Sequence, residues 1–145
     1  MGTDRVQLAR EGIDAFSAGD WERFKAPLSS DAVYEELATQ RTVQGPDRIV
    51  EASKGWKEAF PDAKGTITKV TEGVDTVVLE ITWQGTRTGH LISSMGAIPP
   101  SQKRVTLAPV QVVRFKGDTV AETRHFFDPM TLLAQIGALP TPATA

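Results

Sequence analysis

Residues 105–137, VTLAPVQVVRFKGDTVAETRHFFDPMTLLAQIG, decide the fold of this chain. They predict two long strands, Val105 to Phe115 and Val120 to Phe127, joined by a tight Gly117-Asp118 turn and followed by a short helix from Pro129 to Ile136. Side chains alternate across a strand, so every second residue of the first strand shares one face. Those residues are Val105, Leu107, Pro109, Gln111, Val113 and Phe115. The face is apolar except for Gln111.

The second strand places a histidine on its less polar side. One face carries Ala121, Thr123, His125 and Phe127, and the other carries Glu122, Arg124 and Asp128. If both apolar faces line one cavity, Gln111 and His125 lie side by side, which requires a three-residue or bulged turn. A plain two-residue turn pairs Gln111 with Arg124 instead, and the alternation favours the first register. Burying an unpaired imidazole or amide costs about 1–3 kcal/mol, so the two side chains predict a pocket.

Length and composition indicate a single domain without sulfur chemistry. The chain has 145 residues, too few for two sizeable cores, and we assign residues 1–138 to the domain and 139–145 to a flexible tail. The sequence has no cysteine, which excludes disulfides and thiolate ligands. The two histidines, His90 and His125, lack a metal-ligand context, so we expect no metal.

Charge and hydropathy argue against two classes of partner. Sixteen basic and eighteen acidic residues give a net charge of −2, and no Lys/Arg cluster is suited to the phosphates of nucleic acid. No apolar run approaches the length of a membrane-spanning helix, and the N-terminal residues lack an apolar signal core. We therefore expect a cytoplasmic protein that binds neither nucleic acid nor membrane.

Three helices and a short strand come first in the chain. Apolar spacing predicts a helix from about Asp4 to Ser17, a second from Trp21 to about Pro27, and a third that Gly45-Pro46-Asp47 opens and Pro61 ends. The strand runs from Ala32 to Glu36. Val33 and Glu35 point one way on it, and Tyr34 and Glu36 the other.

Mostly strand follows, which sets the fold class. The predicted strands are Thr66 to Thr71, Thr76 to Trp83 and His90 to Ser94, and the run from Gly96 to Ser101 is a turn-rich connection. Helices segregated from strands predict an α+β domain, with the N-terminal helices packed in a curved antiparallel sheet to enclose a cone. The outer sheet face, which carries Thr106, Val112, Glu122 and Arg124, is available to a second subunit.

Several short motifs, in this order, resemble one family. They are Gly19-Asp20-Trp21, Phe60-Pro61-Asp62, the WQGTRTG run at 83–89, Ile98-Pro99-Pro100, and Phe127-Asp128 running into LAQIG at 133–137. From the first helix to Gly137 the chain is similar to the SnoaL-like polyketide cyclases, of the nuclear transport factor 2-like superfamily of cystatin-like α+β barrels. The resemblance implies a cone-shaped pocket for a small, largely apolar molecule, no metal or organic cofactor, and a homodimer through the outer sheet face.

The resemblance also implies where a site lies. The family's best-understood members close rings by intramolecular aldol addition with a carboxylate as acid and base. Their catalytic aspartate falls on His125 here, their pocket histidine on Gln111, their pocket asparagine on Glu35 and a loop histidine on Arg87. Relatives include ketosteroid isomerases, dehydratases, epoxide hydrolases and binding domains, so the fold alone does not settle the reaction.

Three residues are candidates for acid and base chemistry, each with a structural alternative. His125, tuned by Glu35, is a candidate base, and its alternative is a core histidine satisfied by Gln111 and a backbone carbonyl. Glu35, drawn into the cone, suits acid or base work, and its alternative is a solvated glutamate beside Glu36. Alternation does not decide which of the two faces inward. Asp128 precedes a proline as an N-cap residue does, with an orienting role behind His125 as the other possibility.

The remaining candidates are ligand-binding residues. Four aromatic residues are candidates for a wall of the pocket, or else plain core: Tyr34, Trp56, Trp83 and Phe127. Gln111 is the candidate for orienting the ligand or stabilising an oxyanion. Arg87 either holds an acidic or enolate oxygen or is simply solvated.

Together these features predict a cofactor-free acid/base enzyme that acts on a small polyketide-like or terpenoid-like molecule. Cyclisation, isomerisation and dehydration are the reactions that fit. The alternative from another class is a ligand-binding or accessory protein without turnover. Epoxide opening, a third possibility, requires a water held by a carboxylate in the cone.

Overall fold

The computed structural model describes residues 4–89, 91–93, 96–98 and 101–137, with backbone alone for 91–93 and 96–98. The predictions for His90, for Pro99-Pro100 and for the tail at 139–145 lie outside the described residues.

The described residues contain four helices, and each begins next to an N-cap residue that the sequence provides. They are α1 (Arg5–Ala18), α2 (Trp21–Lys25), α3 (Pro46–Ala59) and α4 (Pro129–Ile136). The Asp4 side chain accepts a hydrogen bond from the Gln7 backbone N–H at 3.1 Å, and Asp20 accepts one from Arg23 at 3.2 Å. Gly19 ends α1 at a φ of 70°, a conformation that glycine adopts without strain. The predicted helices are confirmed to within two residues at most ends.

Within the described ranges, nine strands follow or separate the helices. They are β1 (Leu28–Glu36), β2 (Arg41–Gln44), β3 (Lys64–Glu72), β4 (Thr76–Thr86), β5 (Leu91–Ser93), β6 (Gly96–Ile98), β7 (Arg104–Leu107), β8 (Val110–Lys116) and β9 (Thr119–Phe126). The main sheet has the order β2-β1-β9-β8-β4-β3, and β7 also pairs with β4, while β5 and β6 form a separate hairpin. A 3₁₀ turn at Leu37–Thr39 joins β1 to β2.

The sheet is mixed, and the α+β class is confirmed. The prediction of an antiparallel sheet is wrong at one place, because β1 pairs with β9 in parallel. A hairpin connects antiparallel neighbours, whereas β1 and β9 come from opposite ends of the chain and are joined by a long crossover. This pairing sets Glu36 opposite His125 and Tyr34 opposite Thr123.

The β8–β9 hairpin has the register in which Gln111 faces His125, as predicted. The turn itself contains only Gly117-Asp118, with a φ of 60° at the glycine. After Val120 the register shifts by one, which leaves Ala121 as the extra residue of a bulge. The bulge therefore restores the pairing that a two-residue turn alone would lose.

The predicted long strand from Val105 to Phe115 is broken at Ala108-Pro109, which is a correction. Proline has no N–H to donate to a ladder, so the strand divides into β7 and β8. Both halves keep one register against β4, because Leu107 pairs with Trp83 and Val110 with Glu80. The predicted inward face survives the break, and five of its residues line the interior cavity: Val105, Leu107, Pro109, Gln111 and Val113.

The two faces of the sheet have different environments. α1 and α3 cover the concave face and α4 packs beside β7, so the buried apolar residues lie between helices and sheet. The outer face carries ion pairs, Arg124 to Glu35 at 3.3 Å and Arg114 to Glu122 at 3.8 Å. Contact of this face with a second subunit stays a prediction. No helix among the described residues has the length and apolar character to cross a membrane.

Candidate functional site

A cavity of about 160 Å³ lies between the helices and the concave face of the sheet. Six predicted site residues line it: Tyr34, Trp56, Trp83, Gln111, His125 and Phe127. None of its described lining residues is an aspartate, glutamate, lysine or arginine. The cavity is thus an apolar chamber with a few polar atoms in its wall.

Aromatic rings meet edge to face around this chamber. Trp56 packs against Phe127 with ring centroids 5.7 Å apart, and Phe16 packs against Trp83 at 5.0 Å. The His125 ring lies 5.3 Å from that of Phe127. Such contacts hold the rings in place, so the wall is largely formed before any ligand enters.

A buried carboxylate stands behind the cavity wall. Glu36 is 1 % exposed and accepts hydrogen bonds from Tyr34 Oη at 2.7 Å, Trp56 Nε1 at 2.8 Å and Thr39 Oγ1 at 2.6 Å. Arg41 lies 3.3 Å away and neutralises its charge. Burial raises the pKa of Glu36, but the hydrogen bonds from Thr39 and Tyr34, the charge of Arg41 and the bond from Trp56 outweigh it, so the pKa lies below its ordinary value. The carboxylate is therefore ionised and accepts only.

Tyr34 connects this carboxylate to His125. The single proton of Tyr34 goes to Glu36, and burial together with that carboxylate raises the pKa of Tyr34 well above its usual value. The Tyr34 oxygen lies 2.8 Å from Nδ1 of His125. Since Tyr34 has no second proton to give, it accepts there, and His125 carries its proton on Nδ1.

The other ring nitrogen of His125 is left as a hydrogen-bond acceptor. Nε2 is buried and has no partner among the described residues. Burial lowers the pKa of His125 to about 4, although the Glu36 charge acts in the opposite direction. The imidazole is therefore neutral at physiological pH, with its lone pair on Nε2.

Comparison with known proteins places the chain in a family. The family model for SnoaL-like polyketide cyclase matches residues 6–136. The chain belongs to this family. No curated protein matches it in sequence.

Solved structures share the fold of this SnoaL-like protein. AclR from Streptomyces galilaeus, a proposed hydroxylase, is 27% identical with a TM-score of 0.79, over 94% of this chain and 87% of that one. IdmH from Streptomyces antibioticus, a proposed polyketide cyclase, is 21% identical with a TM-score of 0.78, over 93% and 99%. A Catenulispora acidiphila protein with a ketosteroid isomerase-like fold, solved with trimethylamine, is 19% identical with a TM-score of 0.77, over 93% and 97%. The last two similarities bear on fold alone.

In this SnoaL-like protein the inward glutamate is Glu36, so the placement of Glu35 in the cone is wrong. The Glu35 side chain is 34 % exposed and pairs with Arg124 on the outer face at 3.3 Å. Alternation along β1 sends Tyr34 and Glu36 inward together, and Glu35 is consequently the residue that points out.

Two other candidates lie away from the cavity. Asp128 is exposed and caps α4, accepting from the Met130 backbone N–H at 2.9 Å and from Thr131 Oγ1 at 2.8 Å. These bonds lower the pKa of Asp128. Arg87 is neither solvated nor among the residues that line the cavity: it is buried, and its Nε donates to the Gly89 carbonyl at 2.7 Å.

Sequence reasoning missed Thr39, Arg41 and Ser53, and it left open whether Glu35 or Glu36 faces inward. Glu36, Thr39 and Arg41 form the carboxylate cluster, and Ser53 of α3 lines the cavity. One signal for the cluster was present, because a buried carboxylate requires a cation and Arg41 is the next basic residue along the chain. Among the described residues, no group of three or more His, Cys, Asp or Glu side chains is placed to hold a metal ion.

Proposed function

We propose that this SnoaL-like protein is an enzyme that moves a proton on a small apolar carbonyl compound, with His125 as the base. The observation that carries the proposal is the hydrogen-bonded chain from Glu36 through Tyr34 to Nδ1 of His125. It leaves Nε2 as an unpartnered acceptor in a residue that lines an apolar cavity. A base of this kind works without a metal or organic cofactor.

The proposed step is removal of a proton from carbon beside a carbonyl group. Nε2 of His125 takes the proton, the C–H bond breaks, and its electron pair moves through the new C=C bond to the carbonyl oxygen. In the resulting imidazolium, Nδ1 keeps its proton and donates it in the hydrogen bond to Tyr34 Oη. The negative charge of Glu36, on the other side of Tyr34, stabilises the imidazolium. Gln111, the cross-strand neighbour of His125, is placed to donate to the enolate oxygen.

Three outcomes follow from the same enolate. Return of the proton to another carbon gives isomerisation, and attack of the carbanion on a second carbonyl, which then takes the proton, gives cyclisation. Loss of a protonated β-hydroxyl group gives dehydration. Epoxide opening has less support, because no carboxylate is among the described residues of the cavity wall.

The runner-up is a ligand-binding protein without turnover, and one observation favours it. Nε2 of His125 is shielded from solvent, as it is in a histidine of a sealed core. The two functions differ in whether the bound molecule is changed.

Hydrogen–deuterium exchange separates the two functions. Cyclic ketones of one, two and four rings are incubated with the protein in D₂O, and loss of the α-proton signal is followed by NMR. We expect the wild type to exchange at least one of these ketones, and the rate to be lower by about 10²–10⁴-fold in His125→Gln, as is typical of losing a general base. Glu35→Gln is the matched control and leaves the rate unchanged, because Glu35 faces outward.

Two results would contradict the proposal. Equal exchange by His125→Gln and the wild type would remove His125 from the chemistry. A ketone that binds to the wild type but never exchanges would make the protein a binding protein.

A further inference from the structure

The size of the cavity restricts the ligand. Its volume is about 160 Å³. An engineered protein cavity of about 150 Å³ encloses benzene. The enclosed part of a ligand therefore amounts to one or two rings, and four fused rings exceed the space.

The charge of the wall restricts the ligand further. The ionisable side chains among the described lining residues are His125 and Tyr34. Both are neutral, because burial lowers the pKa of His125 and raises that of Tyr34. Two charges lie behind the lining residues. Glu36 accepts hydrogen bonds from the lining residues Tyr34 and Trp56 and is neutralised by Arg41. Lys57 lies behind Phe16 and Ala63, where its Nζ donates to the Ala63 carbonyl. A carboxylate or ammonium group entering this chamber loses its hydration and finds no opposite charge.

A few polar atoms of the wall have no partner. Ser53 Oγ, Thr123 Oγ1 and the Gln111 amide line the cavity and make no hydrogen bond to any described residue. All three groups can donate, and Nε2 of His125 can only accept. An uncharged ligand that carries a hydrogen-bond acceptor, such as a carbonyl oxygen, suits a wall that offers donors and a single histidine acceptor.

The geometry points to an uncharged mono- or bicyclic ketone or ester as the ligand class of this cavity. The inference rests on the proposed function, since it names the molecules on which His125 acts. It excludes free carboxylic acids, amines and tetracyclic ketones.

Binding, rather than turnover, tests the ligand class. Three molecules share one skeleton and differ in charge: 2-tetralone, tetralin-2-carboxylate and 2-aminotetralin. Their dissociation constants at neutral pH are measured from the shift of the Trp56 indole N–H resonance, since Trp56 lines the cavity. We expect 2-tetralone to bind at least tenfold more tightly than the two charged analogues, and a steroid ketone not to displace it.

Two variants test the role of the unpartnered donors. Ser53→Ala and Gln111→Leu should each weaken 2-tetralone binding by about three- to tenfold, the usual effect of losing one hydrogen bond. Binding of tetralin, which has no carbonyl, should be unchanged in Ser53→Ala. The hydrocarbon also shows that the cavity of the variant is still formed.

Each outcome has one meaning. Equal or tighter binding of the carboxylate or the amine overturns the ligand class, as does displacement by the steroid ketone or failure of 2-tetralone to bind. If 2-tetralone binds as expected but its α-protons do not exchange, the ligand class stands and the catalytic proposal fails. If a charged or tetracyclic molecule binds and is exchanged by His125, catalysis stands and the ligand class fails.

Discussion

Two adjacent residues of β1, Glu35 and Glu36, lie in opposite environments. Glu36 is buried and accepts from Tyr34, Thr39 and Trp56, whereas Glu35 sits in a partly exposed pair with Arg124. Removing one partner of a buried charge leaves the rest uncompensated, while an exposed pair contributes little. The two positions therefore form a natural test and control.

We expect Glu36→Ala to lower the free energy of unfolding by about 3–5 kcal/mol, because Arg41 and three donors lose their acceptor. Glu35→Ala should lower it by no more than about 1 kcal/mol. Urea unfolding of both variants measures the difference. Similar losses in the two variants would mean that the Glu36 cluster does not stabilise the fold.

At this scale the sequence predicted the inward faces of the last two strands and the pairing of Gln111 with His125, but not the partners of Glu36. Alternation placed Gln111 and His125 on inward faces, and both line the cavity. The same alternation paired Tyr34 with Glu36, yet it did not say which side of β1 was inside, because both sides carry a glutamate. The Trp56 bond to Glu36 joins a helix to a strand, and no local pattern reports such a contact.

At the scale of elements, the close approach of β3 to β4 positions Trp83, whose ring belongs to the cavity wall. A Cβ built on Gly65 would lie 2.8 Å from Ile13 Cγ2 and 2.9 Å from Trp83 Cη2. Gly65 and Trp83 are cross-strand partners, so the missing side chain makes room for the indole. A Cβ built on Gly55 of α3, by contrast, would have no neighbouring atom within 4 Å.

These two glycines should respond in opposite directions to alanine. We expect Gly65→Ala to cost about 1–3 kcal/mol of stability and to weaken ligand binding, since the Trp83 ring must move. Gly55→Ala should stabilise the protein by about 0.5–1 kcal/mol through helix propensity alone. Thermal unfolding compares the two, and a neutral Gly65→Ala would show that the indole has space to shift.

Local sequence signals predicted most of the helices and strands, whereas the pairing of distant strands was not predictable from them. Proline and capping residues marked the ends of α1, α3 and α4. The parallel partner of β1 is β9, which lies about ninety residues away. The sequence predicts both strands, but no sequence pattern indicates that they pair with each other. The short β2 was not predicted, because its four residues, Arg41–Gln44, include a single apolar residue, Val43. The strand β6 corrects the prediction that Gly96 to Ser101 is only a turn-rich connection.

At the scale of the whole molecule, protonation of His125 makes the free energy of unfolding depend on pH. The unfolded chain takes up a proton near the ordinary histidine pKa of 6.5, whereas burial holds the folded value at about 4. Between these values the unfolded state binds more protons, so the stability that is fully present above pH 6.5 is lost as the pH falls towards 4.

We expect this one group to remove about 3 kcal/mol of stability across that interval. Urea unfolding at several pH values measures the slope, and His125→Gln, in which residue 125 no longer titrates, should show a flatter profile. His90 is common to both proteins and cancels in the comparison. Identical profiles would mean that His125 titrates as it does in the unfolded chain.

The parallel pairing of β1 with β9 also determines when the site comes into existence. Tyr34 and His125 are 91 positions apart, and their contact depends on the pairing of β1 with β9. Closing so long a loop is slow compared with forming helices or hairpins. During synthesis, the cavity can therefore gain His125 only after residues 119–126 have left the ribosome, and a shortened chain without them cannot form the Tyr34–His125 contact.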